Sequence, residues 1–126
     1  IPIIKTSSTI AETIKYVTNT FLAMKVSYAN EINSLCQALN IDYDKVIEYA
    51  RYDDRLGNSH WSVPGPDGDF GFGGHCFPKD IAALQFLSSN LNVDTTMLTA
   101  TIEKNTKVRK VEDWKSQIGR AVSKEL

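Results

Sequence analysis

Thirty consecutive residues, Ile10 to Leu39, contain neither glycine nor proline. Ile10, Ile14, Val17, Phe21, Met24, Tyr28, Ile32, Leu35 and Leu39 recur in that run at steps of three and four. This is the period of one helix face. At 1.5 Å per residue the helix would be a rod of about 45 Å. A rod of that length outruns a small domain, so its apolar stripe calls for a partner along it, inside the subunit or in a dimer. An ordinary helix buried in a bundle satisfies the same pattern, and both readings stay open. Thr9 and Glu12 match a capping box at its start. Lys15 and Asn19, four apart, project from the polar side; taken alone they read as a solvated face. Cys36 borders the apolar stripe and reads as packing.

The remaining chain divides at its turn formers. Asn40-Ile41-Asp42 breaks the helix, and Asp42 caps a short second one running through Arg51, with Val46, Ile47 and Ala50 inward. Tyr52 to Phe77 is irregular and longer than the ~15 residues that compact domains usually leave without structure. It carries Tyr52, His60, Trp61, Phe70 and Phe72, too aromatic for a solvated linker, and reads as an ordered binding loop. A third helix is predicted from Pro78 to about Ser89, with Ile81, Leu84, Leu87 and Leu91 buried and Asn90 near its end. Asn92 or Asp94 caps a fourth, Thr95 to about Lys115. Its inner face would be Leu98, Thr101, Ile102, Asn105, Val108 and Val111. Lys104, Lys107, Arg109 and Lys110 read as its solvated face. Helices dominate, so the fold class is all-α.

Bulk properties exclude several functions. A net charge of −1 leaves no electrostatic footprint for nucleic acid or an anionic membrane. No apolar run approaches the ~18 residues of a membrane span. Two cysteines far apart make no disulfide framework, and a reduced, cytosolic setting is the default. The length is one domain's worth. Ile1 to Lys5 is β-branched and reads as the tail of a strand from a preceding domain, and the missing initiator Met suggests a piece of a longer protein.

Five of the seven glycines and three of the four prolines fall between Pro64 and Pro78. Gly71, Gly73 and Gly74 read as bared main chain that a ligand can approach. Pro78 suits a first helical position, which puts Cys76 just outside a helix N-terminus, where a thiolate is favoured. Lys79 and Asp80 follow in the first turn. The ordinary reading is a turn and a small buried thiol; the ordered run Gly-Gly-x-Cys-x-Pro-Lys-Asp favours covalent chemistry. It is no dinucleotide fingerprint, because Cys76 stands in place of the third glycine. A metal site through His75, Cys76 and His60 has poor ligand spacing, so no metal is expected.

In order along the chain stand Ala11-Glu12-x-x-Lys15-x-x-x-Asn19-x-Phe21-Leu22-Ala23, then Asn30-Glu31, Asp54-Arg55-Leu56-Gly57, Gly65-Pro66, and Gly71-Phe72-Gly73-Gly74-x-Cys76-Phe77-Pro78-Lys79-Asp80. Together they resemble the central domain of the nucleotide-sugar dehydrogenases, those acting on UDP-glucose most closely. The resemblance implies a helical dimerisation domain of the 6-phosphogluconate dehydrogenase C-terminal type over residues 6–115. An N-terminal Rossmann domain that holds NAD would end at residues 1–5, and residues 116–126 would lead to a C-terminal nucleotide-binding domain. It also implies roles. Cys76 forms a thiohemiacetal and then a thioester during a double oxidation of the sugar C6 alcohol. Lys15 and Asn19 hold the oxygen at the reacting carbon. Asp80 serves acid/base and water-positioning steps, and Lys79 lies near the cofactor. Gly65, Pro66, Asp67, Gly68, Asp69, Phe72 and Gly73 line the sugar site. Arg55 reaches the substrate of a partner subunit. His75, where UDP-glucose enzymes usually have Ser or Thr, and a long 58–69 loop keep UDP-N-acetyl-mannosamine and GDP-mannose as alternative substrates. A reading from another class is a non-catalytic dimerisation module when the chain stands alone.

Overall fold

The computed structural model describes residues 8–74 and 76–109, without the side chains of Ser8, Thr9 and Cys76. The expectations for Ile1–Lys5, His75, Lys110, Val111 and the C-terminal stretch from Trp114 fall outside those residues. Four α-helices follow in order: α1 (Ser8–Leu39), α2 (Tyr43–Ala50), α3 (Cys76–Asn90) and α4 (Thr96–Val108). A short 3-10 turn, Asp54–Leu56, interrupts the long segment between α2 and α3. No strand occurs among the described residues, so the all-α expectation holds. The long helix packs against the other three, and α3 and α4 also pack on each other.

The long helix decides the question its stripe left open. Most of its large apolar side chains face outward, Ile14 and Val17 at 57% exposed, Phe21 at 59% and Leu39 at 60%, while Ile32 packs on the core. The bundle-buried reading therefore fails for this face. The inward face is made of small and polar residues, Thr20, Ala23, Ser27 and Asn30, all buried. Small side chains let α3 and α4 come close. The polar ones find partners locally or across the contact. Thr20 Oγ1 donates to Tyr16 O at 2.6 Å, Asn30 Nδ2 to Val26 O at 2.8 Å, and Ser27 Oγ to Thr101 O on α4 at 3.0 Å. Satisfied in this way, they avoid the penalty of burying an unpaired polar group.

Helix ends follow recognisable chemistry. α1 ends with Asn40 at φ 60, and the next amide, Ile41 N, bonds back to Cys36 O at 2.9 Å. α3 ends the same way, with Asn92 at φ 59 and Val93 N bonded to Ser88 O at 2.9 Å. Both are the left-handed stop that asparagine tolerates. Asn92 thus closes α3 and does not cap α4. The N-cap of α4 is Thr95, without a side-chain bond, and Asp94 instead accepts from Thr96 Oγ1 at 2.8 Å. Asp42 caps α2 as expected, accepting from Asp44 N at 3.0 Å.

Other boundaries shift for physical reasons. α1 already begins at Ser8, so Thr9 lies within its first turn and not at the cap. α3 begins at Cys76, two residues before Pro78. Proline is tolerated at any first-turn position whose N–H has no intrahelical partner. Leu87 and Leu91 are exposed, at 44% and 62%; of the predicted α3 face only Ile81 is wholly buried. Val46 of α2 is likewise exposed, while Ile47 is buried. α4 stops at Val108 instead of reaching Lys115, because Arg109 turns extended, φ −83 and ψ 129. Among the described residues the core forms two clusters. Ala29, Cys36, Tyr43, Ile47 and Trp61 fill the C-terminal half of α1. Ala23, Phe72 and Ile81, flanked by Val26, Phe77, Leu98 and Ile102, fill the middle.

Candidate active site

Three of the residues singled out in the sequence meet where α1 faces α3. Asn19 Nδ2 donates to Asp80 Oδ2 at 2.5 Å, and Lys15 Nζ stands 3.9 Å from Asp80 Oδ1. The Asp80 side chain is 3% exposed and that of Lys15 59%. A buried carboxylate is tolerable when amide and ammonium donors meet it. These partners lie on another helix, so Asp80 does more than cap its own. The ammonium keeps one side open to a ligand. Asn19 Nδ2 carries two hydrogens, and Asp80 takes one. Cys76 opens α3, four residues and one turn before Asp80. It is the first residue of the helix, not a residue outside it.

The glycine-rich loop is held by α4. Gly65 and Gly68 close it on itself through Gly68 N to Gly65 O and Gly65 N to Asp69 O, both at 2.9 Å. Asn105 then grips Phe72 in both directions. Its Oδ1 accepts from Phe72 N at 2.7 Å, and its Nδ2 donates to Phe72 O at 2.9 Å. Gly71 must be glycine here, for its φ is 74 and a Cβ would meet Asn105 Oδ1. Arg109 completes the hold. Its side chain is 1% exposed, lies 2.6 Å from Asp67 and 3.7 Å from Asp69, and donates to Phe70 O at 3.4 Å. The guanidinium holds the Asp67 carboxyl below its ordinary range. The predicted solvated face of α4 therefore loses Arg109 to the loop. Lys107 remains exposed, and Lys104 sits 3.7 Å from Glu31.

Between this loop and the strap Ser59–Ser62 lies a cavity of about 530 Å³. Of the residues the resemblance assigns to the sugar site, Gly65, Pro66, Asp67, Phe72 and Gly73 line it; Gly68 and Asp69 do not. Phe77 carries its wall onto α3, three residues before Asp80. Arg55 does not line it. It is exposed on the 3-10 turn and folds back on Asp53, at 2.7 and 2.9 Å. Lys79 is exposed beside Asp80.

Two residues of this strap and its support received no sugar-site role from the sequence: His60, named there only in the binding loop and the metal reading, and Lys25. His60 lines the cavity at φ 67, and its Nδ1 is buried with no hydrogen-bond partner among the described residues. Burial first, then the charge of Lys25, push the imidazole pKa down and disfavour its protonated form. Lys25 is itself buried, with Nζ 5.1 Å from the Trp61 ring centre. Trp61 anchors the strap through Tyr43 Oη to Trp61 O at 2.6 Å and Trp61 Nε1 to Gly57 O at 3.1 Å. The one available signal was the density of aromatic residues in the loop. Among the described residues no group of His, Cys, Asp and Glu could hold a metal ion, and no helix is long and apolar enough to cross a membrane.

The chain was compared with known proteins. The sequence model described as "UDP-glucose/GDP-mannose dehydrogenase family, central domain" matches residues 9–107. UDP-glucose 6-dehydrogenase TuaD of Bacillus subtilis is 38% identical over 86% of this chain and 22% of its own length. GDP-mannose 6-dehydrogenase of Pseudomonas aeruginosa is 38% identical over 82% of the chain and 23% of its own. UDP-glucose 6-dehydrogenase AglM of Haloferax volcanii is 35% identical, over 82% and 23%. The chain thus spans less than a quarter of the length of these relatives. No solved structure matches it.

Proposed function

Because the chain belongs to the UDP-glucose/GDP-mannose dehydrogenase family, as its central domain, we propose that it supplies the chemistry and the dimer contact of an NAD-dependent nucleotide-sugar dehydrogenase. The observation that carries this reading is the meeting of Lys15, Asn19 and Asp80, one helical turn from Cys76. The reaction is the four-electron oxidation of a sugar C6 alcohol to a carboxylate. After the first oxidation the Cys76 thiolate adds to the aldehyde carbon, forming a C–S bond and a thiohemiacetal. Lys15 and the remaining hydrogen of Asn19 hold the oxygen as its charge develops. Loss of the second hydride leaves a thioester. Water, positioned by Asp80, which takes its proton, breaks the C–S bond and frees the carboxylate and the thiol.

NAD, bound twice in succession, would accept one hydride each time. The described residues do not fit it alone, since they form no glycine-rich turn from strand to helix to grip its pyrophosphate. We assign its binding to a Rossmann domain outside this chain, with Lys79 near the cofactor. Residues 1–5 then close that domain, 6–115 form this one, and 116–126 lead toward a C-terminal nucleotide-binding domain.

The sugar is UDP-glucose in the first reading and GDP-mannose or UDP-N-acetyl-mannosamine in the second. The equal identity of relatives named for UDP-glucose and for GDP-mannose supports keeping both. The outward stripe of α1 supports a homodimer in which a second copy covers it. Arg55, exposed on the 3-10 turn, would then reach across to the partner's substrate. A dimerisation module without chemistry of its own is the reading for the chain in isolation. The test is NAD reduction by the full-length enzyme over a panel of UDP- and GDP-sugars. Two NADH per sugar oxidised supports the proposal, and no reduction with any member contradicts it.

A further inference from the structure

His60 combines two features that a folded chain normally avoids. It is a non-glycine residue at φ 67, and its Nδ1 is buried without a partner among the described residues. Each costs stability, and such costs gather where a ligand uses them. Both occur on a wall of the 530 Å³ cavity, with the imidazole 5.8 Å from the Phe77 ring at the start of α3. A half-turn of the ring about Cβ–Cγ exchanges its Nδ1 and Cδ2 edges without moving the backbone.

The chemistry of the cavity selects the class of ligand. Phe72 and Phe77 offer apolar walls, and the glycine loop offers main chain. The guanidinium in the lining, Arg109, is shared by two carboxylates, Asp67 and Asp69. A phosphate would compete with those carboxylates for the guanidinium. A neutral ring bearing hydroxyl groups would not. Lys25 does not line the cavity; burial, and then that ammonium, disfavour the protonated imidazole. A neutral imidazole offers one donor and one acceptor, the complement of a hydroxyl.

We propose that His60 is the side chain that hydrogen-bonds a hydroxyl of the sugar ring in this cavity, and so sets which hexose the site accepts. This rests on the nucleotide-sugar reading above. His60→Phe in the full-length enzyme keeps the ring and its contact with Phe77 and removes both nitrogens. KM for the preferred UDP- or GDP-sugar should rise about tenfold, the loss of one well-placed hydrogen bond. Inhibition by the free nucleoside diphosphate, which lacks the sugar, and KM for NAD should stay unchanged. Thermal stability should hold or rise, because an unpaired nitrogen has gone. His60→Asn, which tolerates positive φ and keeps a polar group, should recover part of the lost affinity. An unchanged sugar-nucleotide KM in His60→Phe overturns the proposal. So does an equal weakening of the nucleoside diphosphate, which would place the contact on the phosphates or base. A wild-type enzyme that reduces NAD with no sugar nucleotide sinks the parent reading, and this one with it; normal wild-type turnover beside an indifferent variant sinks the His60 contact alone.

Discussion

The two faces of α1 reverse the usual rule that large apolar side chains point in. Inward lie Thr20, Ala23, Ser27 and Asn30; outward lie Ile14, Val17, Phe21, Tyr28, Leu35 and Leu39. The inward face is chosen for close approach and for hydrogen bonds, and at its N-terminal end it delivers Asn19 to Asp80. The outward face leaves most of its apolar area exposed, although Tyr28 meets the Trp61 ring edge-to-face at 6.3 Å. An exposed apolar patch of this extent marks an interaction surface. The lesson is that the most hydrophobic stripe of a helix need not be the one its own domain buries.

The largest effect should come from the chemistry the inner face serves. In the full-length enzyme Cys76→Ser should lower kcat by more than about a thousandfold with little change in substrate KM. Serine is a poor nucleophile at neutral pH, and its ester hydrolyses less readily than a thioester. Steady-state kinetics with near-wild-type kcat would remove Cys76 from the mechanism.

Packing comes next. Ala23 is 0% exposed between α1 and the central cluster. Ala23→Leu should destabilise the fold by roughly 1–3 kcal/mol through overpacking. Val17→Ala on the outer face should change the stability of a dissociated subunit by no more than about 0.5 kcal/mol. Denaturant melts of the two variants at low concentration check the contrast, and equal losses would erase the distinction between the faces.

The two thiols should separate by about tenfold or more in alkylation rate. Cys36 is 2% exposed in the cluster of Tyr43, Ile47 and Trp61. Cys76 opens α3, where the helix N-terminus favours a thiolate. Limited iodoacetamide labelling near pH 7, with peptide mapping and a denatured control, should find Cys76 modified first. Equal labelling in the folded state would leave the thiolate argument without support.

The smallest effect concerns the loop clamp. Asp67 has its folded pKa depressed from 3.8, first by the hydrogen bond from Arg109. Its contribution is therefore present above about pH 4 and is lost as pH falls through the folded value. Asp67 is nearly half exposed, so the contribution is small. Asp67→Asn should flatten the acid limb of the stability curve below pH 4 and leave the neutral region nearly unchanged. An unaltered acid limb would mean that the pair adds nothing.

Much of this was legible in the chain. The glycine- and proline-free run defined α1, Asp42 announced α2, and the motif from Gly71 to Asp80 with Lys15 and Asn19 named the residues that meet. What stayed hidden depends on contacts distant in sequence. Asn105 looked like one more inner-face residue of α4, and nothing local shows that both ends of its amide serve Phe72, 33 residues away. Arg109 stood in a run of lysines and read as solvated, although Asp67 and Asp69 draw it into the interior. Periodicity found the stripe of α1 but carries no sign for inside or outside.

The direct test of the account is the mass of the protein in solution when the outer face of α1 is altered. The full-length enzyme should be at least a dimer at micromolar concentration by light scattering. Phe21→Asp with Leu35→Asp should reduce that mass by half or more while helical circular dichroism stays at the wild-type level. A wild-type protein that is monomeric, or a double variant that keeps the wild-type mass, would contradict the claim that a second copy covers this face.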